Sequence, residues 1–170
     1  MNNHATTSTK LARSTTRSAT DETVTDAILT ASRVLVAVAA RSLSAVDDDV
    51  TLPQYRALVV LAAKGPRLVG QLADELTIHP STATRLCDRL VAKKLVTREP
   101  ASDNRRETQV TLSRSGRAIV DRVTALRRTE IAHIVGRIPV DLRQSTIDAL
   151  GAFAEAAGEI PQRSWSLGWS

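Results

Sequence analysis

Aromatic side chains are close to absent: one Tyr, one Phe and two Trp, 2% of 170 residues. A core without rings must be filled by Leu, Val, Ile and Ala, and hydrophobic residues make up 42% of the chain. Those are the residues of packed helices, so a mainly α protein is expected. A single cysteine, Cys87, excludes an intrachain disulfide framework and a cysteine-rich zinc site. Long apolar runs are also missing. Val34 to Ala40, as long as any, lies between Arg33 and Arg41, whereas a bilayer span needs about 20 predominantly apolar residues. The N-terminus lacks the apolar segment of a secretory signal. A soluble, cytoplasmic chain with no membrane partner is the expectation.

The three histidines, His4, His79 and His133, fall in a tail, a turn and a late helix. That spacing suggests no shared metal. Neither G-x-S-x-G nor a phosphate loop occurs, and Cys87 with His79 has no orienting acid in place, so no catalytic residue, metal or cofactor is expected. The length suits one compact domain, or one domain with an added oligomerisation element.

Charge is unevenly spread around a net +5. Residues 21–50 hold six acids against Arg33 and Arg41, net −4; residues 81–106 hold seven bases against three acids, net +4. A locally basic module suggests a polyanionic partner, although a solvated charged face has the same composition. Residues 1–20 contain no acid, nine Ser or Thr and three cations, and read as a disordered tail. Apolar positions at spacings of three and four from Val24 to Ala39 predict a long helix over about 21–44, capped by Thr20 or Asp21. A second helix is expected over about 53–63, with Pro53 in its first turn.

The stretch "VGQLADELTIHPSTATRLCDRL", residues 69–90, holds two short amphipathic segments broken at Thr77 to Pro80. Leu72, Ala73 and Leu76 form one apolar face and Ala83, Leu86, Cys87 and Leu90 the next, with Ile78 in the corner. They can bury each other only across a tight turn, which is a helix-turn-helix. At 100° per residue the second helix leaves Ser81, Arg85 and Asp88 pointing away from that face, flanked by Thr82, Thr84 and Arg89. Hydroxyls and arginines there suit the major groove. His79 reads as a turn residue near the DNA backbone. "LVTRE" and "TQVTL" are β-type runs joined by polar "PASDNRR", a hairpin whose tip presents Arg105 and Arg106 to a minor groove. Ser113 is expected to cap a helix to about Arg137, and Pro139 to open a last one to about Glu159.

The chain resembles the multiple-antibiotic-resistance regulator (MarR) family of bacterial transcription factors over about residues 24–158. The resemblance is carried by "LTIHPSTATRLCDRLVAKKLVTRE" and "SDNRRETQVTLSRSG". It implies that Asp103 and Arg105 brace the wing, that an arginine such as Arg106 reaches the minor groove, and that Gly116 stands at its usual junction. "AKKL" departs from the family, which usually has Gly at the position of Lys94. The expected fold is therefore mainly α with a small β-hairpin wing, an α+β winged helix-turn-helix. Its domains are a tail (1–20), a dimerisation helix (21–50), a DNA-binding winged helix (51–112), C-terminal dimerisation helices (113–160) and a last tail (161–170) holding Trp165 and Trp169.

The apolar faces of the terminal helices ask for a partner, and the resemblance implies a homodimer on a pseudo-palindromic double-stranded DNA operator. Repression is favoured over activation. A small aromatic or anionic effector is a candidate ligand, with Tyr55 and Arg56 as speculative contacts, although such residues also pack or sit in solvent. Cys87 invites a thiol-sensor reading, but its place on the apolar face favours a core role. Rival functions are a dimeric scaffold and a non-specific DNA-coating protein.

Overall fold

The computed structural model describes residues 5–47, 49–100 and 108–159. Helix α1 (Ala5–Ser44) is followed by α2 (Leu52–Lys64), β1 (Arg67–Leu68), α3 (Val69–Leu76) and α4 (Pro80–Ala92). Strands β2 (Val96–Pro100) and β3 (Thr108–Leu112) come next, then α5 (Arg114–Val135), a 3-10 turn at Val140–Leu142 and α6 (Arg143–Ala156). The chain divides into two units, residues 1–39 and 40–170.

The first unit is helical from Ala5 onward, which differs from the expected tail over 1–20 and from a cap at Thr20 or Asp21. No Gly or Pro interrupts residues 1–44. Extending an existing helix costs far less than nucleating one, and Ser and Thr weaken it by only a few tenths of a kcal/mol each, roughly. Hydroxyls inside the helix bond back along it: Thr23 donates to the Ala19 carbonyl at 2.9 Å and Thr25 to that of Asp21 at 2.8 Å. Val24, Leu29, Val34, Leu35 and Val36 are exposed. Residues Ala19–Ser44 are long and apolar enough, by length and composition alone, to cross a membrane. The longest uninterrupted run understates this, because the polar residues are dispersed.

In the second unit, Thr51 and Gln54 form a reciprocal capping box that starts α2, and Gly65, at φ 79°, ends it. Leu58, Leu61, Leu72, Leu90, Val110, Val120 and Val123 are fully buried and tie α2, α3, α4, β3 and α5 into one core. The sheet has the order β1-β3-β2, with both pairings antiparallel. The two-residue β1 was not expected; it is too short to show periodicity and exists because Arg67 and Leu68 pair with Val110 and Gln109. The β2–β3 hairpin runs in register from Val96↔Leu112 to Pro100↔Thr108. Its tip, with Asp103, Arg105 and Arg106, lies outside the described residues, as do Trp165 and Trp169. Beyond Pro139 the expected single helix is broken into the 3-10 turn and α6. No residue of α6 is buried within the chain, and Ile147, Leu150 and Phe153 stand exposed.

Candidate nucleic-acid interface

The bend at the heart of the second unit is closed by a backbone device used twice. Thr77 has φ 56°, and the N–H of Ile78 reaches the Ala73 carbonyl at 3.0 Å while that of Thr77 reaches Asp74 at 3.0 Å. At the other end of α4, Lys94 has φ 58°, with Leu95 N–H on the Leu90 carbonyl at 2.9 Å and Lys94 N–H on Val91 at 2.8 Å. Both are Schellman-type terminations, a geometry that normally takes Gly. The departure at "AKKL" thus leaves the geometry intact and places a lysine in a left-handed conformation.

Between these ends α4 has two faces. Ala83, Leu86, Cys87 and Leu90 are buried against the core, and Ser81, Thr82, Thr84, Arg85, Asp88 and Arg89 are exposed. The structure therefore brings the expected α4 residues onto one outward face. Their hydrogen-bonding capacities differ. Thr84 donates its hydroxyl to the Pro80 carbonyl at 3.0 Å, leaving mainly acceptor capacity. The Ser81 hydroxyl lies 2.9 Å from His79 Nδ1. Arg85 and Arg89 pair with no carboxylate among the described residues.

Asp88, the one acid on this face, is answered from the wing. Arg98 on β2 donates from Nη1 to Asp88 Oδ1 at 2.6 Å and from Nη2 to the Thr84 carbonyl at 3.2 Å. A guanidinium fork reaching both a side chain and the helix backbone fixes the hairpin to the outward face of α4. The sequence reading did not single out Arg98. Its charge was visible, but the pairing depends on where β2 lies against α4. Below it, Cys87 is a buried free thiol whose pKa is pushed up by burial, with the Arg98 guanidinium opposing that rise. A thiol held protonated this way suits a packing role.

The hairpin leaves through a tight junction. Ser113 Oγ accepts from Gly116 N–H at 3.0 Å, capping α5, and donates to the Lys94 carbonyl at 2.8 Å. A Cβ on Gly116 would fall 2.2 Å from the Leu95 carbonyl oxygen. Only glycine allows the first turn of α5 to sit against the end of α4, which explains the place of "TLSRSG". Lys93 reaches the Asp49 carbonyl from the same end.

Tyr55 and Arg56 do not come together. Tyr55 is in the core, its hydroxyl unpaired among the described residues, while Arg56 faces solvent. A cavity of about 390 Å³ opens instead beside α4, lined by Gly70, Gln71, Thr84, Arg98 and Thr108 among others.

A helix-turn-helix with an outward polar helix, followed by a β-hairpin tied to it, defines a winged-helix protein. A family model described as the MarR family matches residues 48–107. The solved structure of RV1404 from Mycobacterium tuberculosis is 45% identical, with 83% of this chain and 96% of that chain covered at a TM-score of 0.78. The apo form of MarR from E. coli is 22% identical and shares the fold, with 74% of this chain and 93% of that chain covered at a TM-score of 0.64. An uncharacterised HTH-type transcriptional regulator of Bacillus subtilis, YhbI, is 27% identical over 74 residues, 44% of this chain; the match spans about half, 48%, of that relative's length. The chain belongs to the MarR family.

Proposed function

We propose that this protein is a cytoplasmic, dimeric, sequence-specific DNA-binding regulator, acting by binding rather than catalysis. The observation that carries the reading is the two-faced α4: its apolar side is locked into the core, its ends are fixed, and Ser81, Thr82, Thr84, Arg85 and Arg89 are presented outward. A rigidly held helix with arginines and hydroxyls on its free side suits bidentate guanine contacts and contacts to phosphate. The wing, with Arg105 and Arg106 at its tip, takes the adjacent minor groove, braced by Asp103 and Arg105.

Two chains are needed for a palindromic site. The exposed apolar residues of α1, and separately Val135, Val140, Leu142, Ile147, Leu150 and Phe153 near the C-terminus, form faces that a second copy would cover. The same covering accounts for the apolar length of α1 without a membrane. Half-site centres then fall about one helical turn, roughly 10 base pairs, apart. Repression, relieved by an aromatic or anionic effector, is the regulatory sense we favour. The cavity beside Thr84 and Arg98 is better placed for such a ligand than Tyr55 and Arg56.

The experiment is binding of the purified protein to its own upstream intergenic DNA against an equal-length unrelated duplex across salt concentrations. Preference of roughly a thousandfold or more is expected for a specific regulator. Equal, steeply salt-dependent binding would point to a DNA-coating protein, and no binding to a scaffold.

A further inference from the structure

A second cavity, of about 280 Å³, opens where β3 passes into α5. Leu61 near the end of α2, Pro66 and Leu112 give it an apolar lining, and Thr111, Arg114 and Arg117 bring polar groups to it. Ser113 lines it too, but its hydroxyl is committed to the Gly116 N–H and the Lys94 carbonyl. The volume lies just below the range usual for drug-sized ligands, so the occupant is small. Its two guanidinium groups are uncompensated. Arg114 is exposed and Arg117 half-buried, and neither pairs with a carboxylate among the described residues. Asp121 stands one turn beyond Arg117 without pairing to it, and the first turn of α5 holds no acid. The helix dipole disfavours cations at that end, so nothing local accounts for two arginines there. The cavity beside α4 differs in this respect, because the Arg98 guanidinium is already engaged by Asp88 and the Thr84 carbonyl.

We propose that the cavity between the end of α2, β3 and the start of α5 is a binding site for a small carboxylate with an apolar body. Arg114 and Arg117 hold the head, since a guanidinium meets a carboxylate with two parallel N–H donors. Leu61, Pro66 and Leu112 take the body, and the Thr111 hydroxyl is a neutral donor beside it. An inorganic anion would answer the two charges and leave the apolar lining wet. A neutral hydrocarbon would cover the lining and leave the arginines unanswered. Only a molecule that carries both parts satisfies the whole site. The ligand adjoins the junction that fixes α5 to the end of α4, where Gly116 meets Leu95 and Ser113 bonds to Lys94. Its lining comes from α2, the loop after it, β3 and α5, so binding here is independent of the DNA-binding reading above.

The test is a methyl-resolved NMR titration of the full chain with octanoate, with 1-octanol and inorganic phosphate as probes of the two halves of the ligand. Octanoate should shift the methyl signals of Leu61, Thr111 and Leu112 saturably, with a Kd of about 1 mM, the order a ligand of that size reaches. Octanol and phosphate should each bind at least roughly tenfold more weakly. Arg114→Glu combined with Arg117→Glu places acids where the start of a helix favours them, so the fold should be kept. That variant should lose octanoate by at least roughly tenfold and bind n-octylammonium in its place. Arg117→Gln, a milder change, should weaken octanoate roughly three- to tenfold. Shifts confined to other methyl groups, or no saturable shift at all, overturn the proposal. Octanoate affinity equal in wild type and the variants does the same, and phosphate binding as tight as octanoate overturns the apolar half of the site.

Discussion

Replacing Lys94 by Gly should make the protein more stable. Lys94 is exposed and held at φ 58° by the Leu95 N–H to Leu90 carbonyl bond that ends α4. An L-residue in that conformation costs about 1–2 kcal/mol, and Gly returns part of the gain, about 0.5–1 kcal/mol, through the greater freedom of its unfolded chain. The net is a stabilisation of about 0.5–1 kcal/mol. Urea unfolding followed by circular dichroism, at one fixed protein concentration because a dimer is expected, would read this as a midpoint rise of roughly 0.3–0.6 M. Lys94→Ala is the control, since it removes the same charge and stem but keeps the Cβ. It should be no more stable than wild type. Thr77→Gly should behave like Lys94→Gly with an effect at the upper end, because Thr77 is β-branched and sits at φ 56°. A Lys94→Gly midpoint at or below that of Lys94→Ala would refute the reasoning, because it would mean the left-handed conformation carries no cost there.

Gly116→Ala should destabilise by about 2–3 kcal/mol in the same assay, since its Cβ would meet the Leu95 carbonyl at 2.2 Å and backbone must move. Arg98→Met should cost only about 1 kcal/mol of stability, because the Asp88 pair is partly exposed, yet weaken DNA binding further by leaving an unanswered carboxylate on the reading face. In an Asp88→Asn background that extra loss in a mobility-shift titration should shrink. Arg85→Ala should lower preference for the operator over unrelated DNA by about 1–3 kcal/mol. Arg106→Ala should weaken binding to many duplexes alike and flatten the salt slope by about one unit.

The sequence alone determined the helical class, the bend at Thr77 to Pro80, the two faces of α4, the hairpin strands and the cap at Ser113. Each follows from local periodicity or from a side chain bonding within a few residues of itself, and both signals survive without knowledge of what packs where. It also located Lys94 as an irregular helix end. What only the tertiary structure decided are relations across distance in the chain. The pairing of β1 with β3 rests on two residues that form a strand because a partner lies alongside. Arg98 answers Asp88 because β2 docks on α4, and Ser113 ties the start of α5 to the Lys94 carbonyl. Tyr55, a candidate ligand contact by residue type, is buried because its helical face points into the core. The bond between His79 and Ser81 spans two residues, yet it went unread: Ser, Thr, Asp and Asn announce a cap by type, whereas an imidazole becomes one only when the fold sets its ring nitrogen toward the open end of the helix.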